Sequence, residues 1–294
     1  MGQTAFLAAL LAAILSLLSA NLQHRLRKLF ARRPAALWGA PIALTAVFAA
    51  ASWMVGALRL PLTLVVLAYT SAPVLLAAIQ GPAVAPWPTA LDFLGILTLW
   101  LPIEFAAGAA LVPRPAQGFL HSVAYGIAIL LGLTMWTGFR SFSGMKYNPP
   151  RERRDFWLPL AGFVLVAPVL AVVGIALGFI PAPHPPMQSA GRMAAAVGII
   201  YAGTALPEEI LFRALIQNLF MQRFGSSTRT LLIASFIFGC AHLDNGPQPL
   251  PNWRYMILAT IAGFAYGKVF QKASTVLSSA GLHMLVDWTK HFFF

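Results

Sequence analysis

Apolar residues fill most of this chain, in runs long enough to cross a lipid bilayer. A transmembrane helix needs about 17 to 25 predominantly apolar residues. Runs of roughly this length can be drawn at residues 5–22, 39–58, 61–79, 91–112, 119–138, 156–180, 193–220, 230–243, 255–270 and 274–290. Because 230–243 and 255–270 are short for a full crossing, the pattern predicts eight to ten spans. The expected fold class is all-α, a polytopic transmembrane helical bundle.

The composition agrees with this pattern and excludes a soluble domain. Hydrophobic residues make up 59% of the chain and charged residues only 10%, so the surface as well as the core must be apolar. The formal net charge of +12 is expected to set topology and to attract anionic lipid, with the bilayer as partner and no nucleic acid. We therefore predict an integral, multi-pass protein of the bacterial inner (cell) membrane.

The distribution of ionisable residues divides the chain near residue 192. The loop 181–192 contains four prolines, which rule out a continuous helix there. The predicted spans before it are largely uncharged, whereas those after it carry acids, histidines and an arginine. Residues 1–192 are thus predicted to form N-terminal transmembrane scaffold helices and residues 193–294 the working transmembrane core.

Glu208, Glu209 and Arg213 place three ionisable side chains within one predicted span. A charged side chain at mid-membrane costs about 2.5 to 3.5 kcal/mol on insertion scales, so the cluster indicates a functional site. Glu209 and Arg213 are spaced i and i+4, share a helix face and are expected to form an ion pair. Glu208 points about 100° away around the helix. Pro207 lacks an amide hydrogen and predicts a kink or a restart, with Glu208 near the positive end of the new helix.

Two histidine elements follow in later spans. His242 stands near the end of one span, where a hydrogen-bonded helix cap explains it as well as chemistry does. His283 and Asp287 are spaced i and i+4 in the last span, so they can hydrogen-bond, bind one metal or contact one substrate group. Between these elements, Gly263 and Gly267 form a small-xxx-small pattern, which we interpret as close helix packing.

These side chains suit hydrolysis of a peptide bond inside a membrane. A glutamate with a histidine can deprotonate water, and a second histidine with a polar partner can stabilise the oxyanion. The four residues Glu208, His242, His283 and Asp287 could instead hold zinc, because histidines and a carboxylate are common catalytic ligands. The zincin motif His-Glu-x-x-His is absent, which leaves both mechanisms open. No cofactor is favoured, and zinc is the alternative.

The order of the motifs resembles the CPBP family of intramembrane proteases, which comprises type II CAAX prenyl endopeptidases and bacteriocin-processing or Abi proteins. The motifs are Glu-Glu-x-x-x-Arg at 208–213, Phe-x-x-x-His at 238–242, Phe-x-x-Gly at 264–267 and His-x-x-x-Asp at 283–287. The resemblance covers about residues 193–290 and identifies this part as a CPBP/Abi-like catalytic core.

The resemblance implies roles for the four candidate catalytic residues. Glu208 would activate the attacking water with His242, while His283 and Asp287 would bind or stabilise the substrate carbonyl. Asp287 departs from the family pattern, because many relatives carry asparagine there. An ionised aspartate cannot donate to an oxyanion, so Asp287 must be protonated, orient His283 or ligate a metal.

The predicted enzyme is an intramembrane endopeptidase of glutamate or metallo type. Its substrate would be a membrane-anchored protein or peptide, such as a CAAX-type tail, a leader peptide or a sorting tail. The pair Glu209 and Arg213 would support the site by holding its helix in place. The alternatives are a non-proteolytic scaffold or immunity protein of the same fold, and a transporter whose charged residues line a solute path.

Overall fold

The computed structural model describes residues 2–82, 87–246 and 249–294, and every regular element in these ranges is helical. The all-α prediction is therefore confirmed. The chain forms two compact units, Met1–Ser143 and Gly144–Phe294. The predicted boundary at residue 192 concerns function rather than compactness, and it stays a prediction.

The first unit is a bundle built around an apolar core. Its described α-helices are α1 (Gly2–Ser16), α2 (Ala20–Arg32), α3 (Gly39–Met54), α4 (Leu60–Gln80), α5 (Ala90–Glu104) and α6 (Gln117–Leu133), and α6 continues as a π-helix over Thr134–Phe139. Phe48, Leu62, Leu120 and Ile127 are among the buried residues of this core.

A buried ion pair fixes the start of α5 within this unit. Arg140 Nε lies 2.9 Å from Asp92 Oδ1, and both side chains are almost fully buried. Arg140 Nη1 also donates to the carbonyl oxygen of Gly81 over 2.7 Å. Asp92 in turn accepts from the backbone N–H of Thr89 at the helix N-terminus, over 2.9 Å. Both charges therefore have hydrogen-bond partners, which a buried ion pair needs to be tolerated.

The second unit carries all the candidate site residues. Its helices are α7 (Arg154–Ala176), α8 (Ala190–Ile200), α9 (Leu206–Glu209), α10 (Asn218–Phe224), α11 (Thr228–Cys240), α12 (Trp253–Lys272) and α13 (Val276–Phe293). π-helical segments Tyr201–Ala205 and Ile210–Gln217 join α8, α9 and α10 into one long helix, Ala190–Phe224. α12 packs against α7, α11 and α13, and α13 also packs against α7 and α9.

The predicted count of eight to ten spans is not confirmed. Among the described residues, five helices are long and apolar enough to cross a bilayer, or six if the pair α1 and α2 counts as one span bent by 78°. The five are Pro34–Met54, Leu60–Gln80, Arg114–Phe139, Arg154–Ala176 and Ala190–Phe224. The difference has two physical causes: α12 and α13, with 20 and 18 residues, are long enough but not sufficiently apolar, and α1, α5 and α11 contain only 15, 15 and 13 residues. A helix of that length falls short of the hydrocarbon core of a bilayer.

The outer face of α7 is apolar, as expected for a helix in contact with lipid. Val164 and Leu165 are 70% and 76% exposed, and Phe156 and Val172 are exposed to a similar degree. A contiguous exposed apolar face of this kind is unfavourable in water and favourable in a bilayer. Together with the five apolar helices, it supports an integral membrane protein.

The long helix does not restart at Pro207, which was one of the two outcomes, a kink or a restart, that the sequence allowed. Ala205 and Leu206 both keep helical backbone angles, with φ −63° and ψ −49° for Ala205 and φ −63° and ψ −48° for Leu206. The proline lies two residues after the end of a π-helical turn, whose altered hydrogen-bond pattern accommodates the missing amide hydrogen. Glu208 therefore lies inside a continuous helix, and no helix N-terminus stabilises its charge.

The glycines of α12 allow the close helix packing that their spacing predicted. A Cβ atom on Gly263 would lie 2.9 Å from Cδ1 of Phe238, a side chain of α11. A Cβ atom on Gly267 would collide with the side chains of Leu231 and Gln217. The interpretation of the small-xxx-small pattern as helix packing is thus confirmed.

Lys146 and Asp155 hold the turn between α12 and α13. Lys146 Nζ donates to the carbonyl oxygens of Phe270, Gln271 and Ala273 over 2.7, 3.1 and 2.8 Å, at the C-terminal end of α12. Asp155 Oδ1 accepts from the backbone N–H of Ser274 over 2.7 Å. A cation at a helix C-terminus satisfies carbonyl groups that have no partner within the helix. These contacts set the position of α13, which carries two of the candidate catalytic residues.

Replacing Lys146 by methionine is expected to lower the free energy of unfolding by about 1.5 to 3 kcal/mol, because charge-assisted hydrogen bonds to helix carbonyls are lost. The measurement is unfolding in mixed micelles with increasing sodium dodecyl sulfate. Lys272 is an exposed lysine in the last turn of the same helix and serves as a matched control. Lys272→Met is expected to cost less than about 1 kcal/mol. Equal losses in the two variants would contradict the role assigned to Lys146.

Candidate active site

Glu209 is the buried centre of a polar network that connects the long helix to α13. Arg213 Nε donates to Glu209 Oε2 over 3.1 Å, and both side chains are 0% exposed. The hydroxyl of Ser279 donates to the same carboxylate oxygen. His283 Nδ1 lies 3.2 Å from Glu209 Oε1. The ion pair expected from the i and i+4 spacing is therefore present, and it contacts one of the candidate catalytic histidines directly.

Two aromatic rings cover the rest of the Arg213 guanidinium group. Its Cζ lies 4.8 Å from the centroid of the Phe238 ring and 5.8 Å from that of Tyr266. Nη1 and Nη2 have no hydrogen-bond partner among the described residues. The two cation–π contacts therefore stabilise the charge at this end of the guanidinium group. Arg213 thus depends on Glu209 for its one direct hydrogen bond to a carboxylate.

Carboxylates face both ring nitrogens of His283. Nε2 lies 3.4 Å from Asp287 Oδ2 and 3.8 Å from Glu208 Oε2, while Nδ1 faces Glu209. The ring stacks on Tyr266 with centroids 4.6 Å apart. A ring that donates from both nitrogens to ionised carboxylates carries hydrogen on both and is an imidazolium. The sequence left three roles open for Asp287: it could be protonated, orient His283 or ligate a metal. Its contact with Nε2 is the one expected if Asp287 orients His283.

His242 is held by its own helix and by aromatic edges. Nδ1 lies 2.9 Å from the carbonyl oxygen of Phe238, which is the hydrogen-bonded cap that the sequence allowed. The ring packs edge-on against Tyr255, with centroids 4.5 Å apart. Since a carbonyl only accepts, Nδ1 carries the hydrogen, and Nε2 of the neutral ring keeps a lone pair. Capping and base chemistry are therefore compatible, because the cap fixes the tautomer that a base needs.

One cavity brings the four candidate catalytic residues together. Its volume is about 110 Å³, and Glu208, His242, His283 and Asp287 all line it. A water molecule takes up about 30 Å³ of liquid volume, so a few waters fit. Much of the remaining wall is apolar and is contributed by α7, α11 and α12. The cavity thus has room for water beside two carboxylates and two histidines, and its apolar wall suits a hydrophobic peptide segment.

The four residues do not form a metal site as they are arranged here. Within the described ranges, no group of three or more His, Cys, Asp or Glu side chains is placed to hold a metal ion. His283 directs both ring nitrogens at carboxylates of the protein, which leaves neither for a metal. Zinc stays the alternative to a mechanism that uses the side chains alone.

Two residues that contribute to this region were missed from sequence. Ser279 contacts Glu209, and its position one turn before His283 was the available signal. Lys290 lines the cavity together with the four candidate catalytic residues. Its position one turn after Asp287, on the same face of α13, could have revealed it.

These features define a class of protein, a helical membrane protein with a buried site of acids and histidines. Residues 190–289 match the family model described as Type II CAAX prenyl endopeptidase Rce1-like. The match covers 100 of the 294 residues and supports membership of the CPBP family, as the order of the motifs predicted. Because this is a family of proteases, the match indicates a hydrolase. No match was found among curated proteins or among solved structures.

Proposed function

We propose that this protein is an intramembrane endopeptidase that hydrolyses a peptide bond of a membrane-associated substrate with water activated by Glu208 and His242. The observation that carries the proposal is that one cavity is lined by both residues together with His283 and Asp287. The family match, which covers the same segment, supports it. The proposed location is the inner membrane of a bacterium.

Glu208 is the proposed general base. Its side chain is partly exposed to the cavity, 21% by area, so water reaches it there. The carboxylate takes a proton from water as the water oxygen attacks the scissile carbonyl carbon. His242, with its lone pair on Nε2, accepts a hydrogen bond from the same water and orients it. When the carbon–nitrogen bond of the tetrahedral intermediate breaks, Glu208 returns the proton to the leaving amine, so the protons balance.

His283 is the proposed electrostatic stabiliser of the oxyanion. Its imidazolium ring stands at the cavity wall, where a fixed positive charge stabilises negative charge developing on the carbonyl oxygen. Asp287 and Glu209 hold the ring from its two nitrogens, and Arg213 holds Glu209. Glu209 and Arg213 are therefore positioning residues, since they act through His283 rather than on the substrate.

The substrate is proposed to be anchored in the membrane close to the scissile bond. CAAX-type tails, leader peptides and sorting tails all meet this condition, and the description of the matched family favours a CAAX-type tail. The apolar wall of the cavity suits hydrophobic residues on either side of the bond. The partners are thus a membrane-anchored protein or peptide and the bilayer itself.

A panel of anchored peptides tests the proposal. The purified protein is reconstituted in liposomes with one peptide of each substrate class, and the products are identified by mass spectrometry. We expect cleavage of at least one peptide at a bond near its anchor, and no cleavage by protein that carries Glu208→Gln. A complete lack of cleavage across the panel would instead favour the non-proteolytic scaffold or the transporter.

Replacing His242 by glutamine is expected to lower kcat by about 10²- to 10⁴-fold, because the flexible amide cannot supply the basic ring nitrogen whose fixed position orients the water. His24 is an exposed histidine on α2 and gives the matched control. We expect His24→Gln to retain the kcat of the wild type on the same peptide. A wild-type kcat for His242→Gln would show that His242 is only a helix cap.

A further inference from the structure

The first unit contains a cavity that the proposed reaction does not use, and we call it the N-terminal cavity. Its volume is about 330 Å³, against about 110 Å³ for the cavity of the candidate catalytic residues. It lies where α4 begins, α5 ends and α6 begins, and its wall includes Leu62, Val65, Tyr69, Ile103, Gln117 and His121. All its described lining residues belong to the first unit.

Two polar side chains of this wall direct their donors at the protein backbone. The hydroxyl of Tyr69 donates to the carbonyl oxygen of Leu99 over 2.6 Å. Gln117 Nε2 donates to the carbonyl oxygens of Ala109 and Val112, over 3.2 Å each. A buried water needs about two to four polar partners, whereas an apolar cavity stays dry and accepts an apolar ligand. The N-terminal cavity therefore favours a hydrocarbon chain over water.

The cavity opens to the lipid-facing surface of α4. Val65 lines it and is 41% exposed, and Leu60 and Leu64 of the same helix are more exposed still. An exposed apolar surface of this kind is favourable in contact with acyl chains. A methylene group is close in size to a water molecule, about 30 Å³, so the cavity holds a chain of about ten methylene groups. The hydrocarbon that can enter from this surface is an acyl chain of a bilayer lipid.

Basic side chains lie at the same end of the first unit. Arg59 directly precedes α4, one turn before Leu62, and Arg114 lies one turn before Gln117. Both arginines are exposed, and His121 is exposed while it also lines the cavity. The planar guanidinium group of arginine matches the oxygens of a phosphate group. A lipid with its chain in the cavity can therefore place its phosphate group among these side chains.

The acids of the first unit leave this end positively charged. Residues 1–143 contain two acids, Asp92 and Glu104. Asp92 pairs with Arg140 near the opposite end of α5. Glu104 ends α5 on the side of the cavity, where its Oε2 accepts a hydrogen bond from Trp100 Nε1 over 2.8 Å. Two arginines and one glutamate favour an anionic headgroup over a zwitterionic one.

We propose that the N-terminal cavity binds one acyl chain of an anionic phospholipid of the bilayer, whose phosphate group contacts Arg59, Arg114 and His121. The apolar wall selects a hydrocarbon chain, and the basic side chains select the headgroup. A helix of another protein is about 10 Å across and is too thick for this volume. The site lies within the first unit and does not rest on the proposed function.

Photoreactive lipids test this assignment. The full chain is reconstituted in nanodiscs of phosphatidylcholine that contain a small amount of either phosphatidylglycerol or phosphatidylcholine with a diazirine on one acyl chain. Labelled peptides are identified by mass spectrometry after illumination. We expect phosphatidylglycerol to label residues 62–69 and 102–124 at least about fivefold more than phosphatidylcholine does. The exposed face of α7 should be labelled equally by both lipids and gives the internal reference. Equal labelling of 62–69 and 102–124 by both lipids would overturn the proposal.

Gly118 offers a way to fill the cavity without a clash. It lines the cavity, and a Cβ atom on it would meet no other atom within 4 Å. Gly118→Phe should therefore remove the preference for phosphatidylglycerol at residues 62–69 and 102–124. Gly39, at the start of α3, is equally open but does not line the cavity. Gly39→Phe should keep the labelling of the wild type, and an unchanged preference in Gly118→Phe would contradict the proposal.

Arg59→Gln and Arg114→Gln test the contact with the headgroup. Each is expected to lower labelling by phosphatidylglycerol about fivefold and to leave labelling by phosphatidylcholine unchanged. Arg33, an exposed arginine before the other end of α3, supplies the matched control. Arg33→Gln should keep the preference of the wild type. A wild-type preference in both Arg59→Gln and Arg114→Gln would show that the phosphate group is not bound there and would overturn the proposal.

Discussion

Replacing Glu208 by glutamine is expected to lower kcat by about 10²- to 10⁴-fold, the range typical for loss of a general base. Glutamine has the same shape but cannot take a proton from water. The Glu209–Arg213 pair does not include Glu208, so that buried ion pair remains intact in the variant. We therefore expect a normal yield of folded protein and a size-exclusion elution volume like that of the wild type. The measurement is kcat on an anchored peptide in proteoliposomes.

Glu152 gives the control for this substitution. It is an exposed glutamate that pairs with Arg154 at the protein surface, away from the cavity. Glu152→Gln should retain the kcat of the wild type. If Glu208→Gln also retained it, Glu208 would not be the base and the mechanism would have to be abandoned.

Replacing Arg213 by alanine is expected to destabilise the protein by about 3 to 5 kcal/mol, because it leaves the Glu209 carboxylate buried without its ion partner. Both side chains are 0% exposed, so water cannot take the place of the guanidinium group. The loss should appear as a lower midpoint in unfolding by sodium dodecyl sulfate and as a reduced yield. Arg223, an exposed arginine on α10, provides the control. Arg223→Ala should leave the midpoint of unfolding and the yield unchanged.

A double substitution separates the stability of the pair from its effect on His283. Combining Glu209→Gln with Arg213→Met removes both charges, and replacing a whole buried pair by neutral groups is often close to neutral. We expect the double variant to recover much of the stability lost in Arg213→Ala. Its kcat should stay low, because the anionic partner of His283 Nδ1 is gone. Recovery of both stability and kcat would mean that Glu209 and Arg213 have only a structural role.

Helical spacing predicted the local parts of the site well. The i and i+4 spacing of Glu209 and Arg213 gave their ion pair, and the same spacing of His283 and Asp287 gave their contact. Such predictions succeed because the geometry of one helix fixes which side chains are neighbours. The motif order also located the segment that the family model matches.

Features that depend on packing between elements were harder to predict. Full spans were predicted where α5 and α11 lie, because hydropathy does not show where a helix ends within an apolar run. The restart allowed at Pro207 is absent for a related reason, since the π-helical turn before it is not visible in residue type. Lys290 was missed because only the approach of Tyr255 and Phe179 places it at the cavity.

The measurement that tests the central claim most directly is cleavage of one anchored peptide by wild type and by Glu208→Gln, each with and without a strong zinc chelator. The claim is that Glu208 activates water without a metal. It predicts that the wild type keeps its kcat in chelator and that Glu208→Gln is inactive in both conditions. Loss of wild-type activity in chelator, restored by added zinc, would contradict it and assign the reaction to a metalloprotease.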